Sequence, residues 1–220
     1  MGFRDTFNNV GNKTAFHEFF DDFDKYAAAD WTITTSEVGT GSATEALANE
    51  QFGALLLTNA AGDNDHDFLQ KPGESFKYVS GKRLYFGARF KVSDATESDI
   101  VLGLQITDTT PLAVSDGIWF GKDDGDALID FHVGKDSTVT DEVGVGTLAD
   151  DTYMTVEFYY DGSTAANANI QVFVDGVRVA GVALTNVPDD EELTISFGIQ
   201  NGEAVAKTMT VDWIRAVQER

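Results

Sequence analysis

At 220 residues, with 42% hydrophobic residues, 16 Phe and 3 Trp, the chain has ample apolar material for a packed core, which excludes disorder over most of its length and suits one large domain. With 15 Lys plus Arg against 37 Asp plus Glu the formal charge is −22, so the surface repels phosphate backbones and anionic headgroups; this argues against nucleic-acid or membrane partners, and solubility in salty surroundings accounts for the acidity. The absence of Cys excludes disulfides, thiolate zinc sites and cysteine nucleophiles, and with no signal-peptide run in Met1 to Val10 and no stretch of membrane-spanning length, a soluble product of the cytosol is expected.

Near the N-terminus, Phe16, Phe19, Phe20 and Phe23 fall at helical spacing, yet Glu18 to Asp21 is equally compatible with a strand. The favoured reading is an extended entry, a short helical turn near Asp24 to Ala29, a strand through Trp31 to Thr35, and a long loop over Glu37 to Asn49, where Gly, Ser, Thr and Ala accumulate. Past residue 50 short alternating runs are separated by Gly, Asn and Asp, the pattern of a sandwich or barrel. The cleanest run is Arg83 to Val92, which sets Leu84, Phe86, Ala88, Phe90 and Val92 on one face. The same alternation recurs in Ile100, Leu102, Leu104 and Ile106, in Met154, Val156, Phe158 and Tyr160, and in Leu193, Ile195, Phe197 and Ile199. Asp175-Gly176, between Val172-Phe173-Val174 and Val177-Arg178-Val179, predicts a hairpin with a type I′ turn. Met209 to Val217 alternates again and predicts a closing strand. Together these elements predict an all-β fold, a sandwich or barrel spanning residues 16–220 as a single domain, preceded by a short N-terminal arm over residues 1–15.

Five segments carry a family likeness in order: Asp22-Phe23-Asp24 followed by Trp31-Thr32, the run Arg83 to Phe90, the run Tyr153 to Gly162, Val172 to Val177, and Met209 to Ile214. Across roughly residues 19 to 217 the chain resembles the concanavalin A-like lectin and glucanase superfamily, in particular its laminin G-like modules, and that resemblance implies an antiparallel two-sheet jelly-roll β-sandwich. Leu57 to Asp65, together with Gly103 to Pro111, resembles virion structural proteins of marine tailed bacteriophages, among them capsid decoration proteins. That second resemblance implies a non-enzymatic protein of the capsid surface, made in the host cytoplasm. It would have the major capsid protein as partner and a homotrimer as its assembly. Phe3, Arg4 and Phe7 would then anchor the arm on neighbouring subunits. The alternative is a carbohydrate-binding, lectin-like module of a tail fibre or adhesin, with glycans as partners; a divergent glycoside hydrolase is the third reading.

The chemistry-bearing residues give no catalytic constellation. A retaining glycosidase needs two carboxylates about 5 Å apart. The best pairing, Asp126 and Asp130 with His132 on one strand face, has Leu128 between the acids, which spaces their Cα atoms by about 13 Å. None of His17, His66 and His132 lies beside a serine in a strained turn, and Gly39-Thr40-Gly41 and Gly144-Val145-Gly146 read as turns. Two acidic clusters, Asp63, Asp65 and Asp67, and Asp123, Asp124 and Asp126, have hard-oxygen character without an EF-hand pattern. No metal or other cofactor is assigned to them. Tyr85, Arg89, Gln105, Trp119 and Tyr159 are expected on the outer face of one sheet, where aromatics and Arg serve a subunit contact or stack on a sugar; the contact is favoured.

Overall fold

The computed structural model describes residues 12–220. Among these, fifteen strands form two antiparallel sheets. The front sheet runs β10 (Thr138–Thr147), β9 (Leu128–Lys135), β8 (Gly117–Lys122), β7 (Ser98–Gln105), β14 (Thr194–Asn201), β5 (His66–Gln70) and β2 (Thr32–Ser36). The back sheet runs β13 (Val177–Ala183), β12 (Asn169–Val174), β11 (Met154–Tyr160), β6 (Leu84–Val92), β15 (Thr208–Glu219), β4 (Leu55–Thr58) and β3 (Thr44–Leu47). A further strand, β1 (Phe16–Asp21), pairs with the later half of β15, beyond the part that β4 occupies. This is the expected jelly-roll sandwich.

Period-two alternation explains the core. Leu84, Phe86, Ala88, Phe90 and Val92 of β6 all face inward, as do Ile100, Leu102 and Leu104 of β7 and Met154, Val156, Phe158 and Tyr160 of β11. Phe131 of the front sheet meets Phe158 of the back sheet at 5.6 Å between ring centroids, and Phe158 stacks on Phe86 at 5.5 Å. Each such buried ring contributes about 1.5–3 kcal/mol relative to exposure. The Asp175-Gly176 turn has φ of 48° and 76°, the double positive φ of a type I′ turn. Asp175 also accepts the Thr155 N–H at 2.9 Å and tethers the hairpin to β11.

One expectation holds and two change. The extended entry expected at the N-terminus is the strand β1, where pairing with β15 outweighs the helical spacing of its rings, and the short helical turn expected near Asp24 to Ala29 is a 3-10 turn at Ala28–Asp30. The loop expected over Glu37 to Asn49 contains the edge strand β3, whose exposed Ala46 and Leu47 give no core-facing signal. The alternation of the last strand is broken by a β-bulge: Val211 pairs with Phe90 and Trp213 with Arg89, leaving Asp212 as the extra residue. Phe3, Arg4 and Phe7 lie outside the described residues. The described end of the expected arm, Asn12 to Ala15, is a turn in which Asn12 O accepts the N–H groups of Ala15 and Phe16.

Candidate functional site

The outer face of the front sheet has a floor of small residues. Gly117, Trp119 and Gly121 face outward from β8, while Asp130 and His132 do so from β9. A Cβ at Gly103 would lie 2.5 Å from Ile118 O and from the Cα and Cβ of Trp119, so glycine is what lets β8 approach β7 this closely at Trp119. Trp119 stacks on His132 at 5.0 Å, and His132 Nδ1 lies 2.7 Å from Asp141 Oδ1. The β7–β8 loop crosses this face with a 3-10 turn at Pro111–Ala113 and packs Leu112 and Val114 against Trp119, Phe68 and Val101. Gln105 donates to Pro111 O at 3.0 Å, and Gln70 both donates to Ile106 O and accepts the Asp108 N–H, so the sheet itself pins the loop. Trp119 is left 7% exposed.

Beside the loop remains a cleft of about 240 Å³ near Trp119, Lys122, Asp123, His132 and Asp141. Its cation is already engaged. Lys122 Nζ donates to the carbonyls of Thr96, Ser98 and Asp123, and burial pulls its pKa below the ordinary lysine value. Asp130 accepts the Gly144 N–H, whereas Asp126 lies before β9 and caps the Leu128 N–H. The expected shared strand face of Asp126, Asp130 and His132 therefore reduces to Asp130 and His132.

The back sheet presents an open groove of about 460 Å³ on its outer face, lined by Phe20, Asp22, Phe52, Tyr85, Asp212, Trp213 and Arg215. It exists because of the bulge. Consecutive strand residues normally face opposite ways, but with Asp212 as the extra residue both Asp212 and Trp213 point outward, and Ile214 and Ala216 return to the core. Asp212 pairs with Arg89, whose guanidinium sits 4.0 Å over the Tyr153 ring. Arg215 pairs with Glu18 at 2.8 Å. The opposite wall is the turn from Glu50 to Gly53. Glu50 clamps it to the sheet, accepting from Lys91 at 2.8 Å and Tyr153 Oη at 2.5 Å; these two bonds hold its carboxyl below the usual range. Phe52 in this turn has φ of 75° and is 77% exposed, and Phe20 is 53% exposed.

The predicted contact residues thus divide between the sheets: Tyr85, Arg89 and Tyr159 lie on the back sheet, Gln105 and Trp119 on the front. Alternation tells inside from outside without telling which sheet. Tyr85 and Tyr159 are buried with Phe16 and Val217, and Gln105 lies under the β7–β8 loop. Phe20, Phe52, Tyr153 and Trp213 are not among the residues that the sequence places on a contact face. Trp213 in particular reads as core in any strict alternation from Met209.

The acidic clusters disperse. Asp63 is exposed, while Asp65 accepts the N–H groups of Val38, Gly39 and Gly62 at 2.6–2.8 Å. Burial raises the Asp65 pKa, and the three bonds more than offset it, leaving it below the ordinary value. Asp67 faces the interior. Among the described residues no three His, Cys, Asp or Glu side chains are arranged to hold a metal, and no helix is long and apolar enough to cross a membrane.

No protein family matches the chain as a profile, and no curated protein matches its sequence. Solved structures do match in backbone. The chain is similar to an endo-1,3-beta-glucanase from Streptomyces sioyaensis (TM-score 0.64, 13% identity, covering 93% of this chain and 97% of that one). It is also similar to peanut lectin (TM-score 0.59, 13% identity, 92% and 97% covered) and to a protein of unknown function from Shewanella oneidensis MR-1 (TM-score 0.61, 17% identity, 93% and 87% covered). These likenesses show the fold, a concanavalin A-like jelly-roll sandwich.

Proposed function

We propose that the protein is a non-enzymatic binding module that takes carbohydrate into the groove of its back sheet. The observation that carries this reading is the set of outward rings, Phe20, Phe52 and Trp213, around an open groove edged by Asp22, Asp212 and Arg215. Sugars are recognised by aromatic faces that cover their C–H surface and by polar groups that fix their hydroxyls. The polar partners at this groove are already oriented by ion pairs, Asp212 with Arg89 and Arg215 with Glu18. A neutral glycan suits them better than an anionic one, because the chain carries a formal charge of −22. Peanut lectin and the glucanase among the structural neighbours show that sandwiches of this fold serve proteins named for lectin and glucanase activity.

A glycan array probed with the intact protein and with Trp213→Ala tests the reading: retention of the first and loss by the second is expected. Reducing-sugar release from the retained glycan would overturn its non-enzymatic part. The second reading, a capsid decoration protein of a phage head, rests on the likeness of Leu57 to Asp65 and Gly103 to Pro111 to phage virion proteins. The same exposed rings and arginines would then form a protein contact. Rebinding of the protein to stripped capsids, with no glycan retained, would favour it over the first.

A further inference from the structure

The open edge of the sandwich, where β3 of the back sheet faces β2 and β5 of the front, holds a pair of acids. Asp67, on the inward side of β5, is 0% exposed, and among the described residues neither of its carboxylate oxygens has a hydrogen-bond donor. At hydrogen-bonding range stands Glu45, on edge strand β3, itself an acceptor. Tyr26, from the segment before β2, donates to the other side of Glu45 at 3.3 Å. Glu37, after β2, adds a third negative charge and accepts the Ala43 N–H. Among the described residues, the strand partners of the pair are uncharged: Asp67 pairs with Thr35 on one side and Ile199 on the other and Glu45 pairs with Leu57, while Asp65 is spent on backbone N–H groups.

A buried carboxylate set against a second, half-buried one does not stay ionised readily, since Asp67 lacks solvent and the two charges repel. One shared proton converts the contact into a hydrogen bond between carboxyl and carboxylate, which ties the two sheets together. We propose that Asp67 and Glu45 form a proton-held latch across the open edge, closed while Asp67 keeps its proton and released when Asp67 ionises, freeing β3. Burial first, and then Glu45 and Glu37, push the Asp67 pKa up to about 8, which places release just above neutrality. The sign follows from linkage. A carboxyl whose folded value lies above its unfolded value binds more protons in the native state, so stability is full below about pH 4 and declines as pH rises toward about 8.

The consequence reaches the β3–β4 hairpin. Ala48 N–H donates to Ala54 O to close it, and Phe52 rides at its tip, so release of β3 loosens one wall of the back groove. The latch itself does not depend on what that groove binds.

Asp67→Asn separates the proton from the geometry, because its amide donates to Glu45 at every pH. Hydrogen exchange of Thr44–Leu47 is measured for both proteins at the same pH, where intrinsic exchange rates are equal. Equal protection at about pH 6, with β3 of the wild-type chain exchanging at least about tenfold faster than in Asp67→Asn at about pH 9, is expected. Should Asp67→Asn fail to fold, Glu45→Gln gives the same comparison with the amide on the other strand. Parallel behaviour of wild type and variant across the range would overturn the latch. So would full protection of the wild type at about pH 9 in calcium chloride that is lost in EDTA, since a bridging cation would then hold the pair in place of the proton.

Discussion

The outer faces of the two sheets carry similar residues and use them in opposite ways. On the front sheet Trp119 is roofed by Leu112 and Val114, with His132 stacked beside it and two glutamines bonding the loop down. On the back sheet Trp213 stands at an open groove between Phe20 and Phe52. The difference lies in the connections. The front face receives a long loop with apolar residues at its centre, and its floor is cleared by glycines. The back face receives the short turn from Glu50 to Gly53, held at its rim by a charged clamp. A tryptophan on a sandwich face is therefore open to a ligand only where the connections leave it uncovered.

The widest separation is in stability. Trp119→Ala removes a ring buried on several sides and should cost about 3–5 kcal/mol, measured by chemical denaturation. Trp213→Ala, at the edge of an open groove, should change stability by less than about 1 kcal/mol. A comparable loss at both positions would mean that the back groove is a packed structural site and not an open one. In binding the order reverses: Trp213→Ala should weaken glycan affinity at least about tenfold, or roughly 1.4 kcal/mol, in titration calorimetry. A front-face variant that still folds, such as His132→Gln, should bind as the wild type does.

The sequence reveals these two faces unequally. Strand cores were legible because Leu84 to Val92 or Met154 to Tyr160 declare their inner face by period two, and the Asp175-Gly176 turn by its chemistry. The bulge at Asp212 was not legible: nothing in Val211-Asp212-Trp213 distinguishes a strand that continues from one that gains a residue, yet that one residue moves Trp213 from the expected core to the groove. The Asp67–Glu45 contact was equally hidden. Asp63, Asp65 and Asp67 look alike at alternate positions, and only the arrival of β3, an edge strand without an apolar pattern, sets Asp67 opposite another acid. Pairing between distant segments decides both features, and local pattern carries no information about it.

The smallest effect separates shape from strain at the open face. Phe52 holds φ of 75°, a left-handed conformation that costs an ordinary residue about 1–2 kcal/mol, and it buries little in return. Glycine takes that conformation freely but raises the entropy of the unfolded chain by an amount worth about 0.5–1 kcal/mol. The two terms nearly offset, so Phe52→Gly should leave stability unchanged or raise it by up to about 1 kcal/mol. Glycan binding should fall, because the ring is the wall opposite Trp213. Phe52→Ala keeps the strained backbone and loses the same ring, so it should bind as weakly as Phe52→Gly while being less stable. If instead Phe52→Gly lost stability as well as binding, the ring would be packed against the chain, and the turn from Glu50 to Gly53 would belong with the roofed front face as a closed connection.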